Sequence, residues 1–430
     1  MNFDILHPAD QIVMIMERIY KYGMTTTSGG NLSIMDDNGD IWISPAGIDK
    51  GSLTRKDIIC VKADGSIQGN YTPSSELPFH QKVYRIRPDI KAVLHAHPPA
   101  LVAFSIVRRI PDTLLIPNVH QVCGQIGLAK YGLPGSIELG DKIACEFEKG
   151  LNTVILENHG IVVGSSSLFK AFMAFETLDF CARLEIDASR IGKPQGLTAE
   201  KVELSKQKQN VQMAEFIPSG YSSQEKAVRR EMCSLIHRAY DQQLFTSTQG
   251  TFSQRLDSRS FCITPYALDR KYLNPEDLVR IDDDRREAGK TPSRSAILHS
   301  RIYEKNPHVN AIIIAHPPNV MAFAVTDVEL DSRTIPESYI LMRNIPKLPY
   351  GVSFMQPSMT ADELSKKTPI LMVENDCLIV TGSSLLNAFD RLEVAEYSAK
   401  AIIASRIIGN IVTINDQQIK DLEVAFKLDT

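Results

Sequence analysis

Hydrophobic and polar positions repeat along this chain at two periods. Ala9–Tyr22 and Lys226–Gln242 carry apolar residues at helical spacing, which predicts two amphipathic helices. Thr198–Gln212 and Asp416–Phe426 read as more polar helices. Asp40–Ser44 and Ile58–Lys62 alternate apolar with polar, as half-buried strands do. The turn residues Ala63-Asp64-Gly65 after the second strand predict a hairpin. Phe79–Ile86 reads as a helix with Ser75 as its cap and Pro78 in its first turn. Ile90–His97 is a β-rich run stopped by Pro98-Pro99. Thr153–Leu156 is a further apolar strand, and Leu168–Arg190 is a long helix. Alternating strands and helices predict an α/β domain with a helix-covered sheet. Short hairpins favour a mainly antiparallel sheet over a doubly wound parallel one.

The pattern occurs twice. PSSELPFHQKVYRIRPDIKAVLHAHPPALVAF, from Pro73, returns without a gap as PSRSAILHSRIYEKNPHVNAIIIAHPPNVMAF, from Pro292, at an offset of 219 residues. Trp42–Pro45 matches Cys262–Pro265, Leu156–Gly160 matches Val373–Cys377, and Ala188–Arg190 matches Ala404–Arg406. A period this long marks a duplicated domain rather than a solenoid. The turn-rich Pro218-Ser219-Gly220 sets the expected boundary, giving domains 1–218 and 219–430.

Composition narrows the function. Hydrophobic residues make up 43% and charged residues 23%, ordinary for a globular protein. With 47 Lys+Arg against 51 Asp+Glu the net charge is −4, which argues against nucleic-acid binding by bulk charge. No apolar run reaches the ~20 residues of a membrane span, and the N-terminus does not read as a secretory signal. Seven scattered cysteines without a CxxC pair read as reduced thiols, so a cytoplasmic protein is expected.

The chemistry gathers in the first copy. His95 and His97 stand two apart at a strand end, so both imidazoles face one way. His159 follows another strand, and Glu76 opens a helix. Three imidazoles and a carboxylate suit Zn²⁺ or a related divalent ion. In the second copy Glu76 becomes Ser295, His95 becomes Ile314, and His159 becomes Asp376, while His97 is kept as His316. The second copy is therefore expected to bind no metal and to be catalytically silent. The cluster Thr26–Ser33, including Ser28, Gly30 and Asn31, could cradle a phosphate together with Gly47, Ser74 and Ser75. Its second-copy counterpart, Thr246–Ser253, lacks the residues matching Gly29 and Asn31, and Ser75 becomes Arg294. Lys50, close to this loop, reads as a solvated lysine.

As an ordered set, SGGNLS (Ser28–Ser33), SPAGID (Ser44–Asp49), SSE (Ser74–Glu76), HAHP (His95–Pro98) and NHG (Asn158–Gly160) resemble the class II aldolase/adducin family. The resemblance covers both copies. It implies two tandem three-layer α/β/α sandwich domains, each around a mainly antiparallel central sheet. It implies one zinc or other divalent ion per chain, held in the first copy by His95, His97, His159 and Glu76. Glu76 is then expected to leave the metal and act as the base. The implied substrate is a small sugar phosphate, bound through Gly30-Asn31, Gly47 and Ser74-Ser75. The implied reaction is aldol cleavage of a phosphorylated ketose. A pentulose-phosphate 4-epimerase, a sugar-phosphate dehydratase and an adducin-like scaffold are the alternatives.

One departure matters. Fuculose-phosphate aldolases carry a tyrosine acid shortly after the segment matching Ile116-Pro117, where this chain has His120. The second-copy counterpart of His120 is Tyr339. The family's sites lie between subunits of a ring, so a homo-oligomer is expected, with a dimer of this chain imitating a tetramer. Tyr339 would then be lent to a first-copy site.

Overall fold

A computed structural model describes residues 3–210 and 212–428. Compactness divides them into two units, one holding 3–113 and 118–183, the other 114–117 and 184–428.

The first unit is built on eight strands: β1 (Asn31–Met35), β2 (Ile41–Ile43), β3 (Ile59–Val61), β4 (Ile67–Gln68), β5 (Ala92–Ala96), β6 (Ile126–Ala129), β7 (Thr153–Leu156) and β8 (Ile161–Ser165). Their order across the sheet is β4-β3-β2-β1-β5-β8-β7-β6. Every pairing is antiparallel except β6 with β7, as the hairpin signals predict. The helices are α1 (Pro8–Lys21), α2 (Leu77–Ile86), α3 (Pro99–Ile106), α4 (Pro117–Cys123), α5 (Ile137–Glu148) and α6 (Leu168–Ile191). One apolar cluster joins Phe79 and Val83 of α2 and Ile143 and Phe147 of α5 to Ile43, Val93 and Val162 of the sheet. Helix α1 packs on β1 and β2. Its buried Ile12, Ile15 and Ile19 recur at helical spacing, the pattern that predicted it.

The cap of α2 differs from expectation. Glu76, not Ser75, is the N-cap residue. The backbone turns one residue later because Leu77 N–H bonds Ser74 O at 3.0 Å, and Ser75 is left exposed. The shift sets the Glu76 carboxylate at the mouth of the helix.

The second unit repeats the plan. Helices α7 (Ala199–Ser205) and α8 (Ser223–Asp241) flank β9 (Glu215–Phe216). The sheet continues with β10 (Thr251–Arg255), β11 (Ser260–Ile263), β12 (Val279–Asp282), β13 (Arg285–Glu287), β14 (Ala311–Ala315), β15 (Lys347–Leu348), β16 (Ile370–Val373) and β17 (Cys377–Gly382). Its order is β15-β16-β17-β14-β10-β11-β12-β13-β9. The remaining helices are α9 (Ala296–Lys305), α10 (Pro318–Ala324), α11 (Pro336–Met342), α12 (Val352–Met355), α13 (Pro357–Asp362), α14 (Leu385–Ile408) and α15 (Asp416–Ala425). Residues 184–210 are tied into this unit by polar contacts. Arg406 donates to Ile191 O at 3.0 Å, Gln195 donates to Asp327 at 2.7 Å, and Lys208 pairs with Asp376 at 2.8 Å. The helix expected over 198–212 is shorter, because 3₁₀-type bonds close it at Lys206–Lys208; Val211 lies outside the described residues.

Candidate metal centre

Strand β5 lies at the middle of its sheet, between β1 and β8, so its C-terminal residues are sealed on both sides. Asn31 is the register partner of His95 on one side and Val162 on the other. His95 is wholly buried. Its Nδ1–H donates to Ile161 O at 2.9 Å, which turns Nε2 into the cavity as a lone pair. His97, two residues on, brings its own Nε2 to 2.9 Å from that of His95. His159 enters from the β7–β8 turn, with ring centroids 4.8 Å from His95 and 5.0 Å from His97. That turn requires glycine at its end. A Cβ on Gly160 would stand 2.5 Å from Ala96 O and 2.6 Å from the His97 ring.

Glu76 completes the cluster from the cap of α2. Its carboxylate lies 3.2 Å from His95 Nε2 and 3.9 Å from His159 Nε2. Burial and mutual repulsion push the His95 and His97 imidazoles down to about 3, and burial lowers His159 as well. All three rings are therefore neutral at pH 7 and present lone pairs. Glu76 Oε1 and His159 Nδ1 are buried without a hydrogen-bond partner. Neutral nitrogens crowded together beside an unsatisfied carboxylate fit a divalent cation. Among the described residues, His95, His97 and His159 are the one group of three or more such donors.

Behind the carboxylate runs a buried chain of hydrogen bonds that the sequence reading missed. Asn31 Nδ2 donates to Glu76 Oε2 at 2.7 Å, and Asn31 Oδ1 faces His80 Nε2 at 2.5 Å. His80 Nδ1 meets Ser33 Oγ at 2.7 Å, and Ser33 Oγ meets the Tyr84 hydroxyl at 2.6 Å. Burial holds the His80 ring well below its usual range, so it is neutral and carries one proton. With Asn31's amide nitrogen spent on Glu76, that proton sits on Nε2 and points to Asn31 Oδ1. The spacing was visible: Glu76, His80 and Tyr84 follow at i, i+4 and i+8 on one helix face. Asn31 and Ser33 share one face of β1.

The loops expected to hold phosphate gather nearby. Gly30 has φ +73°, and a Cβ there would stand 2.9 Å from His95 O. Lys50 N–H bonds Thr27 O, and Ala46 N–H bonds Thr72 O, which draws Gly47 and Ser74-Ser75 to the same rim. Ser28 and Ser75 are exposed, and Gly47 opens on free space. Asn31 differs from the others, because both ends of its amide are committed to Glu76 and His80. Lys50 is not solvated: it is 2% exposed and its ammonium donates to Pro45 O. Burial lowers it to about 8. Arg270 holds the matching place in the second copy and donates to Gln249 O and Gly250 O at 3.1 Å. Both cations brace a loop whose carbonyls turn inward. His120 is exposed on α4, and the Tyr339 hydroxyl donates to Glu423 at 2.6 Å.

The second copy keeps the inner half of the relay. Ser253 Oγ meets His299 Nδ1 at 2.6 Å and the Tyr303 hydroxyl at 2.7 Å. Thr251 and Ser295 stand where Asn31 and Glu76 stand in the first copy, and His299 Nε2 is buried without a partner.

The two helix-covered sheets place the chain among tandem α/β/α sandwich proteins, and the three-histidine cluster lies in its first copy. Residues 10–186 and 230–403 match the Class II Aldolase and Adducin N-terminal domain family, and the chain belongs to it. It is 32% identical over 202 residues to a 5-deoxy-D-ribulose 1-phosphate aldolase of Bacillus thuringiensis, covering 45% of this chain and 91% of that protein. It is 34% identical over 175 residues to an L-fuculose phosphate aldolase of Methanococcus maripaludis, covering 40% and 93%. It is 31% identical over 179 residues to a 3-oxo-tetronate 4-phosphate decarboxylase of Escherichia coli, covering 41% and 84%. Among the described residues no helix is long and apolar enough to cross a membrane.

Two outcomes are expected. His80→Leu removes the partners of the Asn31 carbonyl and of the Ser33 hydroxyl proton, and should cost about 2–4 kcal/mol in calorimetric unfolding. His299→Leu should cost less, since the His299 Nε2 has no partner to lose. Equal losses would remove the Asn31 link from the account. Acid should also act through the histidines. His95, His97, His299 and His316 titrate at about 3 to 4 in the folded chain, below the ordinary 6.5. Below pH 6.5 the unfolded chain binds more protons, so stability falls as pH drops. The Tm of the metal-stripped chain should decline between pH 6.5 and 5, above the range where Glu287, held at about 2, begins to titrate. A flat Tm across that window would contradict this.

Proposed function

We propose that the first copy is a metal-dependent aldolase that cleaves a phosphorylated ketose. The observation that carries this reading is the neutral His95–His97–His159 cluster with Glu76 Oε2 3.2 Å from His95 Nε2 and Oε1 unpaired. His95, His97 and His159 would hold a divalent ion, with the Glu76 carboxylate beside them as a further donor. A bound divalent ion supplies Lewis acidity to the oxygen anions that develop as the carbon–carbon bond breaks.

The residues of the chain do the rest. In retro-aldol cleavage a hydroxyl proton leaves, its O–H pair forms the aldehyde carbonyl, and the C–C pair passes to the ketone side as an enediolate. That enediolate takes a proton to become the ketone product. Glu76 moves the proton at the enediolate carbon, oriented by Asn31 and behind it His80. Gly30, Gly47, Ser28, Ser74 and Ser75 anchor the phosphate, which fixes the distance from phosphate to reacting carbon. We assign the hydroxyl proton to His120. Tyr339 serves its own unit, because its hydroxyl is held by Glu423. The second copy supports assembly, and the chain works as a homo-oligomer.

A second reading is decarboxylation of a 3-oxo acid phosphate, favoured by the 31% identity to the Escherichia coli decarboxylase. There the breaking bond releases CO₂ and leaves the same kind of enolate, so one centre serves either substrate.

The test is an assay of the zinc-loaded chain against ketose 1-phosphates and 3-oxo-tetronate 4-phosphate, reading dihydroxyacetone phosphate and CO₂. About one zinc per chain is expected, with His95→Ala losing both the zinc and at least ~10³-fold in turnover. Zinc retained in His95→Ala would sink the reading. His120→Ala should lower kcat by roughly 10²-fold, while Tyr339→Phe leaves it near wild type. The reverse pattern would move the proton donor to Tyr339 of a second chain.

A further inference from the structure

The second copy has lost its ligand set, yet its cavity still holds a charge. Asp376 replaces His159 in the turn after β16 and is 4% exposed. Its Oδ2 accepts from Ser353 Oγ at 2.9 Å, and its Oδ1 lies 2.8 Å from Lys208 Nζ. Burial raises the Asp376 carboxyl, but the Lys208 charge and hydrogen bond more than offset this and hold it below the usual range. His316, the counterpart of His97, is half-buried in the same field, and its Nδ1 is buried without a partner.

Lys208 is delivered there by the connector that follows α7. Lys201 pairs with Glu374 at 3.2 Å. Leu204 packs so closely on Gly351 that a Cβ there would meet it at 2.7 Å. Arg294 donates to Lys208 O at 3.1 Å, and the Lys208 ammonium lies 5.5 Å from the Phe354 ring centroid. Contacts at Lys201, Leu204 and Lys208 make the segment a strap rather than a loose linker.

We propose that Lys208 is a built-in cation: its ammonium sits against Asp376 where the second copy would otherwise hold a metal, and the 201–208 strap seals that cavity. The ligand of the second site is thus a primary ammonium from its own chain. Free divalent ions and sugar phosphates are shut out, which limits the chain to one working centre. This rests on the reading that the first copy holds a metal.

The test has two arms on the full chain. In thermal unfolding, Lys208→Met strands the buried Asp376 carboxylate and should lower Tm by about 5–10 °C, while Asp376→Asn leaves the half-exposed Lys208 ammonium to water and should lower it less. The double variant should be no less stable than the worse single. In zinc titration, Ile314→His offers a second imidazole beside His316 and Asp376 but should stay at about one zinc per chain, because Lys208 blocks the place. Adding Lys208→Ser to it should admit about one more. Losses that simply add, or a second zinc in Ile314→His alone, overturn the proposal. Failure of the first-copy reading looks different: wild type then binds no zinc while the Lys208–Asp376 coupling persists.

Discussion

A polar group at the buried end of a central strand loses most of its contact with water and must find a partner inside the protein. Both copies face this constraint at the same place. In the first, the crowded donors are three imidazoles and a carboxylate at the end of β5. In the second, they are His316 at the end of β14 and Asp376 from the turn between β16 and β17. Much of what surrounds each position answers that demand.

The first copy answers it in two directions. Inward, Asn31 and His80 carry the demand of Glu76 back to Ser33 and Tyr84, so that one carboxylate oxygen is fixed by a relay through the core. Outward, the second oxygen and the imidazole lone pairs face a common point. The sheet supplies the precision. Asn31 and His95 are register partners on β1 and β5, so the relay and the ligand set cannot drift apart without breaking the ladder. The same sheet explains the tight turn at Asn158-His159-Gly160, where a carbonyl and a ring leave no room for a side chain.

Much of this was legible in the sequence. The duplication, the mainly antiparallel sheet and the shared face of His95 and His97 all follow from period and spacing, since these depend on neighbours along the chain. What escaped depends on partners distant in sequence. His80 looks like an ordinary helix histidine until Asn31 is set beside it, although the repeated His-Tyr spacing at His80–Tyr84 and His299–Tyr303 was a usable signal. Lys50 reads as a surface lysine because nothing local announces the Pro45 carbonyl that receives it. Lys208 lies in a connector, and its pairing with Asp376 spans 168 residues. The cap of α2 slipped by one residue because serine preference competes with a backbone turn that only the fold decides.

Charge balance accounts for why the two cavities differ as they do. Each has one carboxylate, Glu76 in the first and Asp376 in the second, although the two stand on different elements. One ammonium neutralises one carboxylate, so Lys208 meets the charge of Asp376 directly, with the Arg294 guanidinium braced on the Lys208 carbonyl beside the pair. A divalent ion over one carboxylate and three neutral imidazoles leaves net positive charge. That excess is costly in a sealed site and useful in an open one, where a phosphorylated substrate and a developing enediolate bring the missing negative charge. Loss of Glu76, His95 and His159 in the second copy thus goes together with gain of a monovalent cation. A divalent ion beside Asp376 would leave buried positive charge, and an empty cavity would leave the Asp376 carboxylate alone.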